Sequence, residues 1–192
     1  SVWLKVCNME MVKSQSKPPA EILAAANDIL AIDPKNKLAL SETVVQYDAL
    51  GDKDKKIDAM LKTYQADPSN SKLQIPLVNA LAEAGKFEMA RPLVEKLLQE
   101  NQGDVGLSKL YWLILNATKD WKTMLKVGDQ LVVIDTAQAD SDYFDRSINA
   151  AVADSNSAKA MEYSCKAASK FATNAESAAQ CGQGQLRGGQ GR

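Results

Sequence analysis

Between Ser71 and Asp104 one short pattern occurs twice within 34 residues, SKLQIPLVNALAEAGKFEMARPLVEKLLQENQGD. Leu73, Leu77, Val78, Leu81 and Ala82 keep to one side of a helix, and Gly85 ends that stripe. After Phe87, a second stripe of Ala90, Leu93, Val94, Leu97 and Leu98 runs until Asn101 and Gly103 close it. Helices this short cannot hide an apolar stripe alone, so the pattern requires neighbouring helices to stack on each other.

Sliding the chain by 34 residues places Asp33, Asp67, Asn101 and Asp135 on one register, with Pro34 and Pro68 following the first two. The early apolar pair Leu77 and Val78, Leu81 one turn on, and then Gly85, Phe87, Ala90, Val94 and Leu97 resemble the tetratricopeptide repeat. The resemblance implies an all-α fold, a right-handed α-solenoid of about five helix-turn-helix repeats. On this register the repeat domain covers 1–181, with repeats near 3–36, 37–70, 71–104, 105–138 and 141–174, a partial capping helix from Ala175 and a flexible Gly/Gln-rich tail over 182–192.

The other repeats follow with local departures. Ser1–Ser16 reads as a helix around Trp3, and Ser16 is placed to cap a second helix that has Pro18 and Pro19 in its first turn and runs to Ile32. Leu40, Val44, Tyr47, Gly51, Ile57 and Met60 occupy packing positions in the next repeat, but Lys56 stands where the family has a small residue. Its stem is expected to lie over the stripe while its ammonium reaches out. Tyr111, Trp112, Leu115, Trp121, Met124, Leu125, Leu131 and Ile134 form the fourth repeat's packing set, and Gly128 there is expected to let Trp112 approach closely. After Asp135 a longer turn, TAQADSD, shifts the register by two, and Phe144, Ile148, Ala151, Ala160, Ser164 and Ala167 carry the fifth repeat. Most aromatic residues are read as core.

Composition narrows the function. The chain has 45% hydrophobic and 24% charged residues, and it has no apolar run long enough to span a bilayer. A formal charge of -1 gives no basic footprint, so nucleic acid and membrane insertion are not expected. No histidine is present, which removes the commonest general base and metal ligand and argues against an enzyme, a metal site or any cofactor. The chain begins with Ser1 and carries no signal sequence, and it reads as a soluble, cytoplasmic or periplasmic segment of a longer polypeptide of bacterial type. Cys7, Cys165 and Cys181 are too few and too scattered for zinc. Free buried thiols are the commoner arrangement for the last two, and a disulfide between them is geometrically conceivable.

In the family, first helices line a groove in which partner peptides lie extended. Carried over position by position, the resemblance places Leu38, Ser41, Val45, Asp48 and Ala49 on that wall, followed by Lys72, Ile75, Asn79, Ala82 and Glu83. The fourth repeat adds Lys109, Leu113, Asn116 and Ala117, and the fifth adds Asp142, Asp145, Asn149, Val152 and Ala153 beside Arg146. Asn79, Asn116 and Asn149 lead the candidates, because an amide can pair with both N–H and C=O of an extended backbone. Asp142 and Asp145, three residues apart, imitate a catalytic carboxylate pair, but no second cluster faces them. Binding of chaperone C-terminal tails is disfavoured: Leu113 follows Lys109 where an asparagine is needed, and Ile75 precedes Asn79 where a lysine is needed. The expected role is a non-catalytic scaffold that binds a protein or peptide. The alternatives are a structural spacer or oligomerisation element with exposed apolar ends near Trp3, or a segment regulating a catalytic domain in cis.

Overall fold

The computed structural model describes residues 1–171. The capping helix expected from Ala175, Cys181 and the 182–192 tail lie outside the described residues. Ten α-helices and one 3₁₀ turn, with no strand, make up the fold among the described residues. They are α1 (Val2–Ser14), α2 (Pro19–Leu30), α3 (Lys37–Ala49), α4 (Lys53–Ala66) and α5 (Ser71–Glu83), then α6 (Phe87–Glu100), α7 (Val105–Ala117), α8 (Trp121–Ile134), α9 (Ser141–Ala153) and α10 (Ser157–Phe171). They gather into two compact units, Ser1–Lys86 and Phe87 onward.

Capping explains the 34-residue register. Asn36 accepts from the Ala39 N–H at the start of α3, and Asp104 accepts from the Leu107 N–H at the start of α7. Asp140 does the same for Tyr143 at the start of α9, after a 3₁₀ turn at Thr136–Gln138 has added two residues. Second helices follow suit: Asp52 caps α4 through Lys55 N–H, Asp120 caps α8 through Thr123 N–H, and Asn156 accepts from Lys159 N–H in α10. Between the helices of each pair one residue turns left-handed. Gly51 (φ 71°) and Gly85 (φ 70°) do so freely, whereas Ser16 (φ 53°), Lys119 (φ 60°) and Ser155 (φ 56°) do so against their Cβ.

In the first unit Met9, Ala25, Ala26, Ile29 and Ala39 form a buried cluster, with Val2, Val6 and Leu30 packed on it. Lys13 of α1 reaches Glu42 of α3 at 2.6 Å, and Glu42 is only 6% exposed and also accepts from Gln46 Nε2 at 2.6 Å. That buried carboxylate raises the affinity of Lys13 for its proton: the hydrogen bond with Glu42 outweighs the cost of partial burial. Lys56 is half-buried, and its ammonium lies 2.6 Å from Asp48. It borders a cleft of about 310 Å³ lined also by Tyr47, Ile57, Ala80 and Glu83.

In the second unit Trp112 stacks on Tyr143 with ring centroids 5.7 Å apart, and Tyr143 meets Phe144 and Tyr163 edge-on. Glycine at 128 admits this arrangement, since a Cβ there would stand 2.8 Å from Trp112 Nε1 and 3.1 Å from Tyr143 Cε2. Tyr163 is fully buried and donates to Asp129 Oδ1 at 2.7 Å, while Lys159 holds the other oxygen at 2.9 Å. One repeat length earlier, Glu95 accepts from Tyr111 at 2.7 Å and from Arg91, which also donates to Asp120.

Several expectations are corrected. Ser16 does not cap α2. It occupies the left-handed turn, Pro18 holds the N-cap position without a side-chain hydrogen bond, and the helix ends at Leu30 rather than Ile32. Trp3 is 71% exposed and Ile134 51%, so neither is core, and Ser164 is exposed with its hydroxyl turned back to the Ala160 carbonyl. Cys7 is exposed and free, whereas Cys165 is nearly buried and disulfide-bonded, which overturns the free-thiol reading for Cys165.

Two substitutions test this account. Lys119→Gly is expected to raise stability by roughly 0.5–1 kcal/mol in urea unfolding, because it removes the left-handed strain at a small cost in chain entropy. Gly128→Ala is expected to lower the melting temperature, because overpacking costs about 1–3 kcal/mol against a helix-propensity gain of about 1 kcal/mol.

Candidate functional site

Each candidate side chain is aimed by the buried stripe on the opposite side of its own helix. In α5, Leu77, Val78 and Leu81 are fully buried, and at roughly 100° per residue this turns Lys72, Ile75 and Asn79 outward. In α9, Tyr143, Phe144, Ser147, Ala150 and Ala151 are buried, which turns Asp142, Asp145, Asn149 and Val152 away from the core. In α7 the broad buried side of Leu107, Tyr111, Trp112, Ile114 and Leu115 leaves Lys109 exposed and Leu113 and Asn116 half-buried.

None of the twenty residues assigned to the first-helix wall is buried. Four of them are large and apolar yet 43–63% exposed: Leu38, Val45, Ile75 and Val152. Asn79 and Asn149 are exposed, and their amides bond no other group among the described residues. Lys72 of α5 is likewise exposed, without a partner among the described residues.

Lys109 of α7 and Asp142 of α9 line one small cleft of about 20 Å³ together with Trp112, Gln138 and Tyr143. Arg146 is not a free cation, because its Nε donates to both oxygens of Asp142 at 2.8 and 2.9 Å. Asp142 is therefore an ion-paired carboxylate and Asp145 stands apart on the surface, so the two do not form a catalytic pair. No group of three or more Cys, Asp and Glu able to hold a metal ion occurs among the described residues. No described helix is long and apolar enough to cross a membrane.

Below this face, burial and hydrogen bonding fix the ionisation states of the supporting tyrosines. Burial first, and then the hydrogen bond to Glu95, push the Tyr111 hydroxyl up to about 12. Burial and the nearby Asp129 charge push Tyr143 up to about 12 as well. Tyr163 is raised by the same two influences, burial and its bond to Asp129.

Leu4, Cys7 and Met11 escaped the position-by-position reading. They are Leu38, Ser41 and Val45 moved back by 34 residues, and Leu4 (63%) and Met11 (53%) are exposed as those residues are. The signal was present in the register but obscured by the divergence of the first helix.

By sequence, no protein-family model matches the chain, and no curated protein matches it either. Solved structures do match. YrrB, described as a TPR protein with an unusual peptide-binding site, is 17% identical with a TM-score of 0.60, over 93% of this chain and 90% of its own. MamA 41-end from Desulfovibrio magneticus RS-1 is 14% identical with a TM-score of 0.53, over 86% and 92% of the two chains. MamA AMB-1 reaches a TM-score of 0.60 at 12% identity, over 88% and 90%. At such identities the likeness concerns the fold, and the fold is the α-solenoid of tetratricopeptide-type repeats.

The tyrosines give a pH prediction. Below pH about 10, the ordinary tyrosine value, folded and unfolded chains both keep these protons. Between there and about 12 only the folded chain keeps them, so its stability declines as pH rises through that window. Urea midpoints measured across it are expected to fall, and Tyr111→Phe is expected to flatten the decline.

Proposed function

We propose that the chain is a non-catalytic interaction module that holds an extended segment of a partner protein against its first-helix faces. The supporting observation is that every residue assigned to those faces is at least partly exposed, while Asn79 and Asn149 keep amides with no partner among the described residues. An amide left free on a helix surface can donate to a backbone C=O and accept from a backbone N–H, which fixes the register of a bound strand without demanding its sequence. Asn116, half-buried on α7, serves the same role one turn further along its helix.

Around these amides, Lys72 and Lys109 supply cations, Asp145 a carboxylate, and the Asp142–Arg146 pair a neutral polar edge. Ile75 and Leu113 stand where a clamp for a terminal carboxylate would need polar groups, so an internal stretch of the partner is the fitting ligand rather than a chaperone tail. YrrB, with the same fold, is described as having a peptide-binding site, which accords with this use of the scaffold.

The test is affinity capture from the source lysate, followed by a direct binding measurement on the captured protein. Changing Asn79, Asn116 and Asn149 together to Ala is expected to weaken binding by about 10–100-fold, at roughly 0.5–1 kcal/mol for each net hydrogen bond, with an unchanged circular dichroism spectrum. Equal affinity for both proteins would overturn the assignment.

A further inference from the structure

Helix α1 is apolar on two opposite sides. Val2, Val6 and Met9 face the buried cluster, and at roughly 100° per residue Leu4, Cys7 and Met11 fall about half a turn of the helix away from them. Leu4 is 63% exposed and Met11 53%, Cys7 is exposed between them, and Trp3 beside them is 71% exposed. The same arrangement recurs on α3, where Leu38 and Val45 are 45% and 56% exposed with Ser41 between them, opposite the buried Ala39, Leu40 and Thr43. The two helices are neighbours, joined by the Lys13–Glu42 bridge and by the packing of Met9 with Ala39. A helix apolar on both sides is one built to be covered on both.

Charge decides what covers it. The lysines of α1 and α3 nearest this face are all neutralised within the chain: Lys5 by Asp28 at 2.7 Å, Lys13 by Glu42 at 2.6 Å and Lys37 by Asp67 at 2.9 Å. Asp48 at the far end of α3 is likewise paired with Lys56. A charged partner therefore finds no counter-charge here. In a two-fold pair, by contrast, every side chain meets the surface that carries its own duplicate, so a face without unpaired charge is complementary to itself.

We propose that the α1–α3 face is a self-association surface on which a second copy of this chain docks about a two-fold axis, with α1 antiparallel to the partner's α1. Leu4 then lies against the partner's Met11, and Cys7, at the middle of the stripe, lies next to the partner's Cys7. This surface is separate from the amides of α5, α7 and α9, so the proposal stands or falls independently of peptide binding.

Light scattering on the whole chain over a range of concentrations is expected to give the mass of two chains. Leu4→Glu combined with Val45→Glu is expected to return the mass of one chain, with thermal unfolding at low concentration unchanged because both side chains are exposed. Mild oxidation should link the wild-type copies covalently, and Cys7→Ser should abolish that link. The mass of one chain at every concentration, the result expected if a different protein or segment covers this face, would overturn the proposal. So would a pair that survives the double substitution, or one that Cys7 does not cross-link.

Discussion

No described helix exceeds 15 residues, a length at which an isolated helix is marginal in water, so everything in this fold depends on each helix burying its stripe against the next. The contacts are accordingly local, α1 on α2, α2 on α3, α3 on α4 and so on within each unit. Such a scaffold leaves one side of every first helix unspent. In this chain that side differs along the sequence: α1 and α3 expose Leu4, Met11, Leu38 and Val45, whereas α5, α7 and α9 present Lys72, Asn79, Lys109 and Asn149. Apolar and polar recognition are thus assigned to different helices of one architecture.

Much of the fold was legible because the repeat is written in residues whose chemistry has few alternatives. Asn36, Asp104 and Asp140 mark helix starts by capping them, and Gly51 and Gly85 mark turns by reaching positive φ. Where the turn is made by Lys119 or Ser155 the position is invisible without the register, because nothing about those residue types asks for a left-handed backbone. Ser16 shows the converse error: a residue suited to capping was read as a cap when the chain used it to turn. The close approach at Gly128 was readable because a helical glycine among bulky neighbours has few other uses.

Long-range polar contacts were not readable. Glu42 is a charged residue inside the fold, and only the lysine arriving from α1 makes its burial tolerable. Tyr163 and Asp129 are joined across 34 residues, and neither position signals the other. On the candidate surface the register placed side chains correctly outward but could not say how they pair, so Arg146 read as a free cation although Asp142 neutralises it. Leu4, Cys7 and Met11 were lost for a different reason: a divergent first helix conceals its equivalence to α3 until its buried stripe is seen.

The account rests on recognition by first-helix faces, and site-specific photo-crosslinking measures that directly. A photoreactive amino acid would be placed in turn at Asn79 and Asn149 on first helices, and at the exposed Glu88 and Lys126 on second helices. Adducts with a bound partner at the first two positions and none at the other two are the result predicted. Adducts at Glu88 or Lys126 without any at Asn79 and Asn149 would contradict it, because recognition would then use the surface that this reading leaves to solvent.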